Sequence, residues 1–437
     1  MVDNVVTVKR RHLLAAASLP VLASLPAPLA RAADPEVGQV IAYVTDVHVD
    51  PEDPDKSARA QVMIDALVEL DPDLVIHGGD LTEHGSVTEF RHWLAMFPAE
   101  FGKRIHHVPG NHDAAWIGDA HEGYHDLIGP TDYSVDVGDV HVVLTNASIQ
   151  QQSVADYDKE QLSWLRKDLA KAKGRPILVV GHHIVALTPN QVRNGDRFLD
   201  VLTEGEAHAF LCGHIHSERH NIVNGLVELT GEANAERAGY YQFTRRTSED
   251  SDLFEVERVD LDDPVDPKLT AGRRSLPPIT LSVADRNRLQ PVAATAELTD
   301  DGIEVSVILR DDVEVESVRA ALMGHAISKG NVEGYQELSQ DGSVWTITLD
   351  AAEVVPGHNR VMVRVTGEAG SGTIGADLWQ TIIHFEVDGF LPDWTTKVRG
   401  NVSAGLIAVD DVVIAASSSG DVFATTGSTR RARRGWS

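Results

Sequence analysis

The sequence is poor in cysteine and in basic residues. A single cysteine, Cys212, among 437 residues excludes an internal disulfide and any site built on several thiolates. Because Cys212 lies in an apolar run, we expect it to be a buried small hydrophobic residue. Lysine and arginine together number 38 against 66 acidic residues, which gives a net charge of −28. Such acidity disfavours a nucleic-acid backbone or an anionic membrane surface as a permanent partner, because both would repel the chain.

No segment beyond residue 32 approaches the ~18 to 20 uninterrupted apolar residues of a transmembrane helix, so we predict no membrane span. Residues 1–32 have the pattern of an export signal: a basic start, an apolar stretch from Leu13, and a small-x-small cleavage site at Ala30-Arg31-Ala32. The pair Arg10-Arg11 resembles the twin-arginine type, although the residues around it depart from the usual ones; an ordinary secretory signal is the alternative. We therefore expect a periplasmic, cell-surface or secreted protein.

The hydrophobic pattern changes along the chain, and its length predicts two or three domains. From residue 37 to 260, apolar runs of strand length alternate with helical periodicity, which predicts a layered α/β domain. Residues 261–278 contain Asp, Pro and Gly but little apolar content, and we predict a linker. From 279 to 388 the apolar period is two, which predicts an all-β sandwich of immunoglobulin or fibronectin type. This second domain carries no catalytic pattern, and we expect a spacer or a binding module.

Polar residues follow five of the apolar runs, each at the point where a predicted strand ends. In open α/β sheets such loops line the ligand crevice. Any one of these clusters could be an ordinary turn, since Gly and Asn tolerate the dihedral angles of turns. Five in one chain point instead to a shared site. In chain order they are Asp46-Val47-His48, Gly78-Gly79-Asp80, Gly110-Asn111-His112-Asp113, Gly181-His182-His183 and Gly213-His214-Ile215-His216.

The order of these clusters resembles that of the calcineurin-like metallophosphoesterases, whose pattern is Asp-x-His, Gly-Asp, Gly-Asn-His-Asp/Glu, His and Gly-His-x-His. The resemblance covers residues 37–260 and implies two β-sheets packed face to face with helices outside. It also implies two divalent or trivalent metal ions, and oxygen and nitrogen ligands suit Mn, Fe or Zn. By the family pattern one ion is held by Asp46, His48 and His216 and the other by Asn111, His182 and His214, with Asp80 bridging both.

The resemblance also assigns roles near this ligand set. His112 is left without a metal and is implied to be the general acid, with Asp113 orienting it. His182 is preferred over His183 as a ligand because it comes immediately after the strand. His214 and His216 lie two residues apart and would share a face of an extended segment; the family sends them to different metals, which an irregular loop permits.

Within the superfamily, purple acid phosphatases have a Tyr where this chain has Glu83 and a Gly where it has His48. The run Gly79–Gly85 is more similar to the branch of cyclic-nucleotide and glycerophosphodiester phosphodiesterases. The loop 114–130 carries Trp116, His121, Tyr124 and His125. It either forms the pocket for the organic part of a substrate or is an ordinary surface loop with these residues packed beneath it.

The segment 394–437 resembles one repeat of a pyrroloquinoline-quinone-type β-propeller, for example at Gly420–Ala424, and ends in the basic run Arg430–Arg434. A single repeat cannot bury its own apolar face, because such architectures depend on stacked neighbours. We therefore expect the remnant of a longer protein, altered by truncation or by a change of reading frame after Ala424. A basic tail that binds an anionic surface is the alternative.

Two classes of function fit the sequence. The first is an exported phosphoesterase that hydrolyses a small phosphate diester or monoester by attack of metal-activated hydroxide, with His112 as general acid. The second is an exported binding or adhesion protein whose metallo-domain is structural. The uncommitted His112 favours the enzyme, because a structural metal site has no use for an acid. The oligomeric state stays open.

Overall fold

A computed structural model describes residues 36–98, 101–115, 122–150, 152–185, 191–248, 251–282, 286–323, 334–367, 377–388, 407–409, 412–416, 422–426 and 429–434. The predicted export signal lies outside the described residues. Among the helices that are described, none is long and apolar enough to cross a membrane.

The helices are α1 (Pro54–Leu70), α2 (Val87–Met96), α3 (Asn111–Ala115), α4 (Glu122–Leu127), α5 (Lys159–Ala172) and α6 (Gly195–Glu204), with a 3-10 turn at Phe101–Arg104. Up to residue 282 the strands are β1 (Glu36–Val44), β2 (Leu74–His77), β3 (Ile105–His107), β4 (Tyr133–Val137), β5 (Val140–Leu144), β6 (Ile177–Val180), β7 (Ala209–Cys212), β8 (Arg219–Val223), β9 (Leu226–Thr230), β10 (Gly239–Thr247), β11 (Asp252–Asp260) and β12 (Gly272–Thr280). Beyond it they are β13 (Ala293–Thr299), β14 (Gly302–Ile308), β15 (Val315–Leu322), β16 (Gln336–Glu337), β17 (Ser339–Asp341), β18 (Val344–Leu349), β19 (Gly357–Gly367), β20 (Asp377–Val387), β21 (Ile407–Val409), β22 (Val412–Ala416), β23 (Val422–Thr426) and β24 (Thr429–Arg434).

Two sheets form the α/β region. The first has the order β12-β11-β10-β1-β2-β3, and the second contains β8-β9-β7-β6-β5-β4. In the first sheet β1, β2 and β3 are mutually parallel, and in the second β5, β6 and β7 are parallel. The carboxyl ends of these parallel strands therefore fall at one edge of each sheet.

Alternation along the strands explains the layering, because successive side chains point to opposite faces of a sheet. On β1, Ile41 and Tyr43 enter the core between the two sheets, while Ala42 and Val44 face a second core with α1 and α2. The second sheet is likewise covered on its outer face by α5 and α6. Helices thus flank two packed sheets, which is the arrangement that the family resemblance implies.

The helices begin where their capping residues predict. Ser86 accepts a hydrogen bond from the backbone N–H of Glu89, whose carboxylate accepts one from the backbone N–H of Ser86, so α2 starts in a complete capping box. Asp158 and Gln161 form the same arrangement at the start of α5. These caps fix where the connecting segments enter each helix, and hence where the loops before them lie.

The predicted linker 261–278 is wrong in its second half, since β12 pairs with β11 as the outermost strand of the first sheet. Leu276 and Ile279 are buried in the core between the sheets, while most of the strand is exposed. Pro277 and Pro278 fall where the register shifts, and proline is tolerated at an edge-strand bulge because it has no N–H to donate. One exposed face and two prolines gave this strand the composition of a linker.

The second predicted domain contains two sheets around one apolar core, built from β13, β14, β17 and β18 on one side and β15, β19 and β20 on the other. Its immunoglobulin or fibronectin type stays a prediction. β20 also pairs in parallel with β8 through Asp377 and Leu378, so one sheet continues from the α/β region into the sandwich. The side chain of Asn224 extends this pairing, because it both donates to and accepts from the backbone of Gln380 at 3.0 and 2.8 Å.

The described part of the C-terminal segment is a four-stranded antiparallel sheet of the order β21-β22-β23-β24. A β-propeller blade is also a four-stranded sheet, but the propeller resemblance stays a prediction. Trp394 and residues 417–421, which carried part of that resemblance, lie outside the described residues.

Candidate metal centre

The structure brings all seven predicted ligands to one place, at the carboxyl ends of parallel strands from both sheets. The loops after β1, β2 and β3 come from the first sheet, and the loops after β6 and β7 from the second. The ligands on these loops are Asp46, His48, Asp80, His182, His214 and His216, and Asn111 is the first residue of α3, which follows the loop after β3.

The first group consists of Asp46, His48 and His216, whose ligand atoms lie within 4.8 Å of one another. Nε2 of His48 lies 3.2 Å from Nε2 of His216, and Oδ1 of Asp46 lies 3.5 Å from Nε2 of His216. Asp46 is completely buried and His48 nearly so, while His216 is partly exposed. Two imidazole nitrogens and a carboxylate oxygen therefore converge at the edge of the crevice.

The second group consists of Asp80, His182 and His214, again within 4.8 Å of one another. Oδ2 of Asp80 lies 3.1 Å from Nε2 of His182. Asn111 joins this group, because its Oδ1 lies 2.8 Å from Nδ1 of His214. His183 is buried with its ring 4.4 Å from that of His214, but the converging groups among the described residues include His182 and not His183.

Asp80 lies between the two groups. Its Oδ2 is 3.6 Å from Nε2 of His48 in the first group and 3.1 Å from Nε2 of His182 in the second. Its Oδ1 accepts a hydrogen bond of 2.8 Å from the backbone N–H of His112. One oxygen of the carboxylate thus faces both groups, while the other holds the loop after β3.

The backbone of the site is strained. Among the described residues, eight non-glycine residues have positive φ, and five of them are predicted ligands: Asp46, His48, Asp80, His214 and His216, with φ between 49° and 72°. Non-glycine residues in sparsely populated backbone regions cluster at functional sites.

Glycines allow the close approach of the loops: a Cβ on Gly213 would lie 2.1 Å from Oδ2 of Asp46, and one on Gly110 would lie 2.0 Å from Oδ1 of Asp80.

The electrostatics favour ionised carboxylates at this place. Burial would raise the pKa of Asp80, but the charge and hydrogen bond of His182 outweigh it and hold that pKa well below its usual range. Burial also opposes charge on His182, yet Asp80 raises the pKa of His182 to about 9. Asp46 acts similarly on His48 and raises its pKa to about 10 against the effect of burial. The negative field that raises the pKa of these imidazoles would also attract metal cations, which would take the place of the Nε2 protons.

The outward nitrogens of three ligand imidazoles have their own partners. Nδ1 of His182 lies 2.9 Å from the carbonyl oxygen of Gly78, and Nδ1 of His216 lies 2.8 Å from Glu236. Nδ1 of His48 lies 3.0 Å from Oε2 of Glu83, an ion-pair contact without the geometry of a well-formed hydrogen bond. An acceptor on Nδ1 fixes the hydrogen there and leaves the lone pair on Nε2 for a metal. Sequence reasoning did not assign Glu83 or Glu236 to the site, because neither belongs to the ligand pattern.

His112 lies beside the first group, half-buried, with its ring 4.6 Å from that of His48. Its Nδ1 lies 2.7 Å from the carbonyl oxygen of Glu83. Asp113 has a different use from the predicted one: its carboxylate accepts hydrogen bonds from the backbone N–H groups of Leu81, Thr82 and Gly110. Asp113 therefore ties the loop after β2 to the loop after β3, and the Glu83 carbonyl orients His112.

The predicted substrate loop 114–130 is only partly described. Tyr124 is completely buried and meets Phe90 edge-on with ring centroids 5.8 Å apart, so it is a core residue. His125 is exposed on α4. Trp116 and His121 lie outside the described residues.

The donor set fits bound metal ions. All ligand atoms are oxygen or nitrogen, as Mn, Fe and Zn sites use. Nε2 of His182 is buried without a well-formed hydrogen bond, although it faces the Asp80 carboxylate. An orphaned imidazole nitrogen next to an ionised carboxylate is the arrangement that a bound cation satisfies.

Comparisons with known proteins agree with this geometry. The family model described as "Calcineurin-like phosphoesterase" matches residues 40–218, which contain all seven predicted ligands and His112. Three curated proteins are similar over part of the chain. The "Probable glycerophosphodiester phosphodiesterase GpdQ" of Arcobacter nitrofigilis is 28% identical over 173 residues, 36% of this chain and 62% of that protein.

The "Probable cyclic nucleotide phosphodiesterase" of Rhodococcus erythropolis is 26% identical over 37% of this chain and 58% of its own length. The "3',5'-cyclic adenosine monophosphate phosphodiesterase CpdA" of Pseudomonas aeruginosa is 30% identical over 33% of this chain and 55% of its own length. Each match spans less than two thirds of the relative. The family model thus matches the part of the chain that carries the converging ligands, and the chain is similar there to calcineurin-like phosphoesterases.

Proposed function

We propose that this chain is an exported phosphodiesterase that uses two metal ions to hydrolyse a small phosphate diester. The observation that carries the proposal is the position of Asp80, whose Oδ2 faces His48 of one ligand group and His182 of the other. A carboxylate shared by two groups is what a dinuclear centre requires. The half-buried His112 beside the first group supports catalysis over a purely structural role.

The ligands divide as the geometry groups them. Asp46, His48 and His216 would hold one ion, Asn111, His182 and His214 the other, with Asp80 common to both. When bound, two such ions supply a hydroxide nucleophile from water near neutral pH and neutralise charge on the phosphoryl oxygens.

His112 would supply the proton for the leaving group. A carbonyl oxygen can only accept, so the contact with the Glu83 carbonyl at 2.7 Å puts a hydrogen on Nδ1 of His112. The exchangeable proton is then on Nε2. As hydroxide forms the new bond to phosphorus, the bond from phosphorus to the ester oxygen breaks, and Nε2 of His112 donates its proton to the departing alkoxide.

The diester class rests on the three relatives, each of which is named a phosphodiesterase. Export rests on the pattern of residues 1–32. If the twin-arginine route is used, replacing Arg10 and Arg11 by lysine should leave the precursor in the cytoplasm. Unchanged export of that variant would leave the ordinary secretory signal as the explanation.

The proposal is tested by loading the purified chain with Mn²⁺ and measuring hydrolysis of bis(p-nitrophenyl) phosphate and of p-nitrophenyl phosphate. We expect turnover of the diester that is abolished by chelation and restored by Mn²⁺, and lost in Asp80→Ala. Turnover of the monoester alone would overturn the diester class. A chain that binds metal and hydrolyses neither ester would support the binding or adhesion function instead.

A further inference from the structure

Glu83 contacts two functional imidazoles through different atoms. Its carboxylate oxygen Oε2 lies 3.0 Å from Nδ1 of His48, and its backbone carbonyl lies 2.7 Å from Nδ1 of His112. We infer that Glu83 is a positioning residue whose side chain sets the affinity of the first metal site and whose backbone sets the orientation of the acid. The inference rests on the proposed function and names a residue that the ligand pattern does not contain.

The side-chain contact defines the ligand atom of His48. The contact is an ion pair without the geometry of a well-formed hydrogen bond, but a carboxylate 3.0 Å from Nδ1 favours the hydrogen on that nitrogen and leaves Nε2 to face Asp46 and His216. Glu83 is itself held, because the same Oε2 lies 2.7 Å from Nζ of Lys56 on α1. Its side chain is only 25% exposed, which distinguishes it from an ordinary surface carboxylate.

The backbone of Glu83 is fixed independently of its side chain. Its N–H donates to the carbonyl of Val49 at 3.3 Å, and the preceding Thr82 bridges to Val49 in parallel fashion and donates its hydroxyl to Asp113 at 2.7 Å. Removing the carboxylate should therefore leave the carbonyl in place, and with it the contact to His112. The two roles of Glu83 are separable by mutation.

Glu236 provides a matched control. It contacts Nδ1 of His216, a ligand of the same site, at 2.8 Å, but its side chain is 63% exposed. Exposed ion pairs contribute little because water screens them. Glu83 and Glu236 therefore each contact a histidine ligand of the same metal site. Glu83 is the more buried of the two, and it is the one that pairs with Lys56.

The experiment measures Mn²⁺ binding to the metal-free full-length chain by titration calorimetry, for the parent and for Glu83→Ala, Glu83→Gln and Glu236→Ala. We expect two classes of site in the parent. In Glu83→Ala one class should weaken by about 10- to 100-fold while the other keeps its affinity, as for other residues that support a metal ligand. Glu83→Gln should recover part of the loss, because the amide oxygen can still present a partial negative charge to Nδ1 of His48. Glu236→Ala should change affinity less than about fivefold.

A second readout tests the backbone role. The ratio of rates for an aryl and an alkyl phosphodiester should be the same in Glu83→Ala as in the parent when both are saturated with Mn²⁺, because the carbonyl that orients His112 remains. Unchanged affinity in Glu83→Ala, or equal weakening of both classes, would overturn the inference and leave the proposed function standing. A parent chain that binds no Mn²⁺ would overturn the proposed function itself.

Discussion

Replacing His112 by alanine should separate proton donation from metal binding. The substitution removes the imidazole but keeps the backbone N–H that donates to Oδ1 of Asp80 at 2.8 Å, so the bridging carboxylate keeps its support. The ring of His112 lies 4.6 Å from that of His48 and is not needed to hold it, because His48 is fixed by Glu83. We therefore expect the metal content of His112→Ala to equal that of the parent.

The rate should fall only where the leaving group needs a proton. General acid catalysis typically contributes ~10² to 10⁴ in rate, or about 3 to 5 kcal/mol of barrier. An alkyl phosphodiester should lose about this factor in kcat at saturating Mn²⁺. A bis(p-nitrophenyl) ester, whose phenolate leaves without protonation, should lose less than about tenfold on the same argument.

The assay compares both esters in the parent, in His112→Ala and in His125→Ala, where the last removes an exposed imidazole on α4 as a control. Metal content is measured on the same samples by elemental analysis. An equal loss on both esters would refute the general-acid role and point to substrate positioning. A fall in bound metal would show that His112 is a ligand.

Three further predictions follow. Asp80→Ala should reduce occupancy of both metal sites, because its Oδ2 faces both ligand groups; elemental analysis that finds one site still filled would contradict the bridging role. Gly213→Ala should weaken Mn²⁺ binding, since its Cβ would lie 2.1 Å from Oδ2 of Asp46, and calorimetry that finds parental affinity would show that the loop can yield. Burial lowers the pKa of His208 to about 4, so protonation favours the unfolded chain and stability falls as the pH drops from about 6.5 towards 4. The loss should reach about 2 kcal/mol at pH 5 in urea denaturation, and His208→Gln, whose amide can accept from the backbone N–H of Ile177 as Nδ1 of His208 does, should lack this part of the pH dependence.

Much of the α/β region could be predicted because its signals are local. The buried strands β6 and β7 are short apolar runs followed by glycine, and the polar clusters at Gly181 and Gly213 mark where they end. Ser86 and Glu89 have the residue types and the spacing of a capping box, so the start of α2 also has a local signal. The family model matches residues 40–218, the part of the chain that contains the five polar clusters from which the resemblance was recognised.

Other features depend on pairings that leave no local pattern. The apolar run Ile222–Thr230 is divided into a hairpin, because Asn224 and Gly225 both have positive φ and form the turn between β8 and β9. The joining of β20 to β8 involves only two residue pairs, which is too short to give a periodicity. Glu83 and Asp113 act on neighbouring loops that are distant in sequence, and only the folded chain shows which groups they contact.

The left-handed backbone conformation of His214 and His216 explains how two histidines only two residues apart reach different ligand groups. On an extended strand His214 and His216 would point to the same side, yet His216 lies with Asp46 and His214 lies with Asp80. Both histidines have positive φ, 72° and 56°, so the chain turns between them and aims the two imidazoles at different ligand groups. Such conformations cost of order 1 to 3 kcal/mol each and persist only where the surroundings impose them.

Backbone hydrogen bonds between the ligand loops supply that constraint. The N–H of Asp46 donates to Gly79 at 3.0 Å, that of His48 donates to Asp80 at 3.0 Å, and that of Gly213 donates to His182 at 2.9 Å. Each bond joins loops that follow different strands, so the pairing of the sheets continues past the strand ends into the site. Strain at one ligand is therefore opposed by neighbouring loops that carry other ligands, so these loops hold one another in the conformation that the site requires.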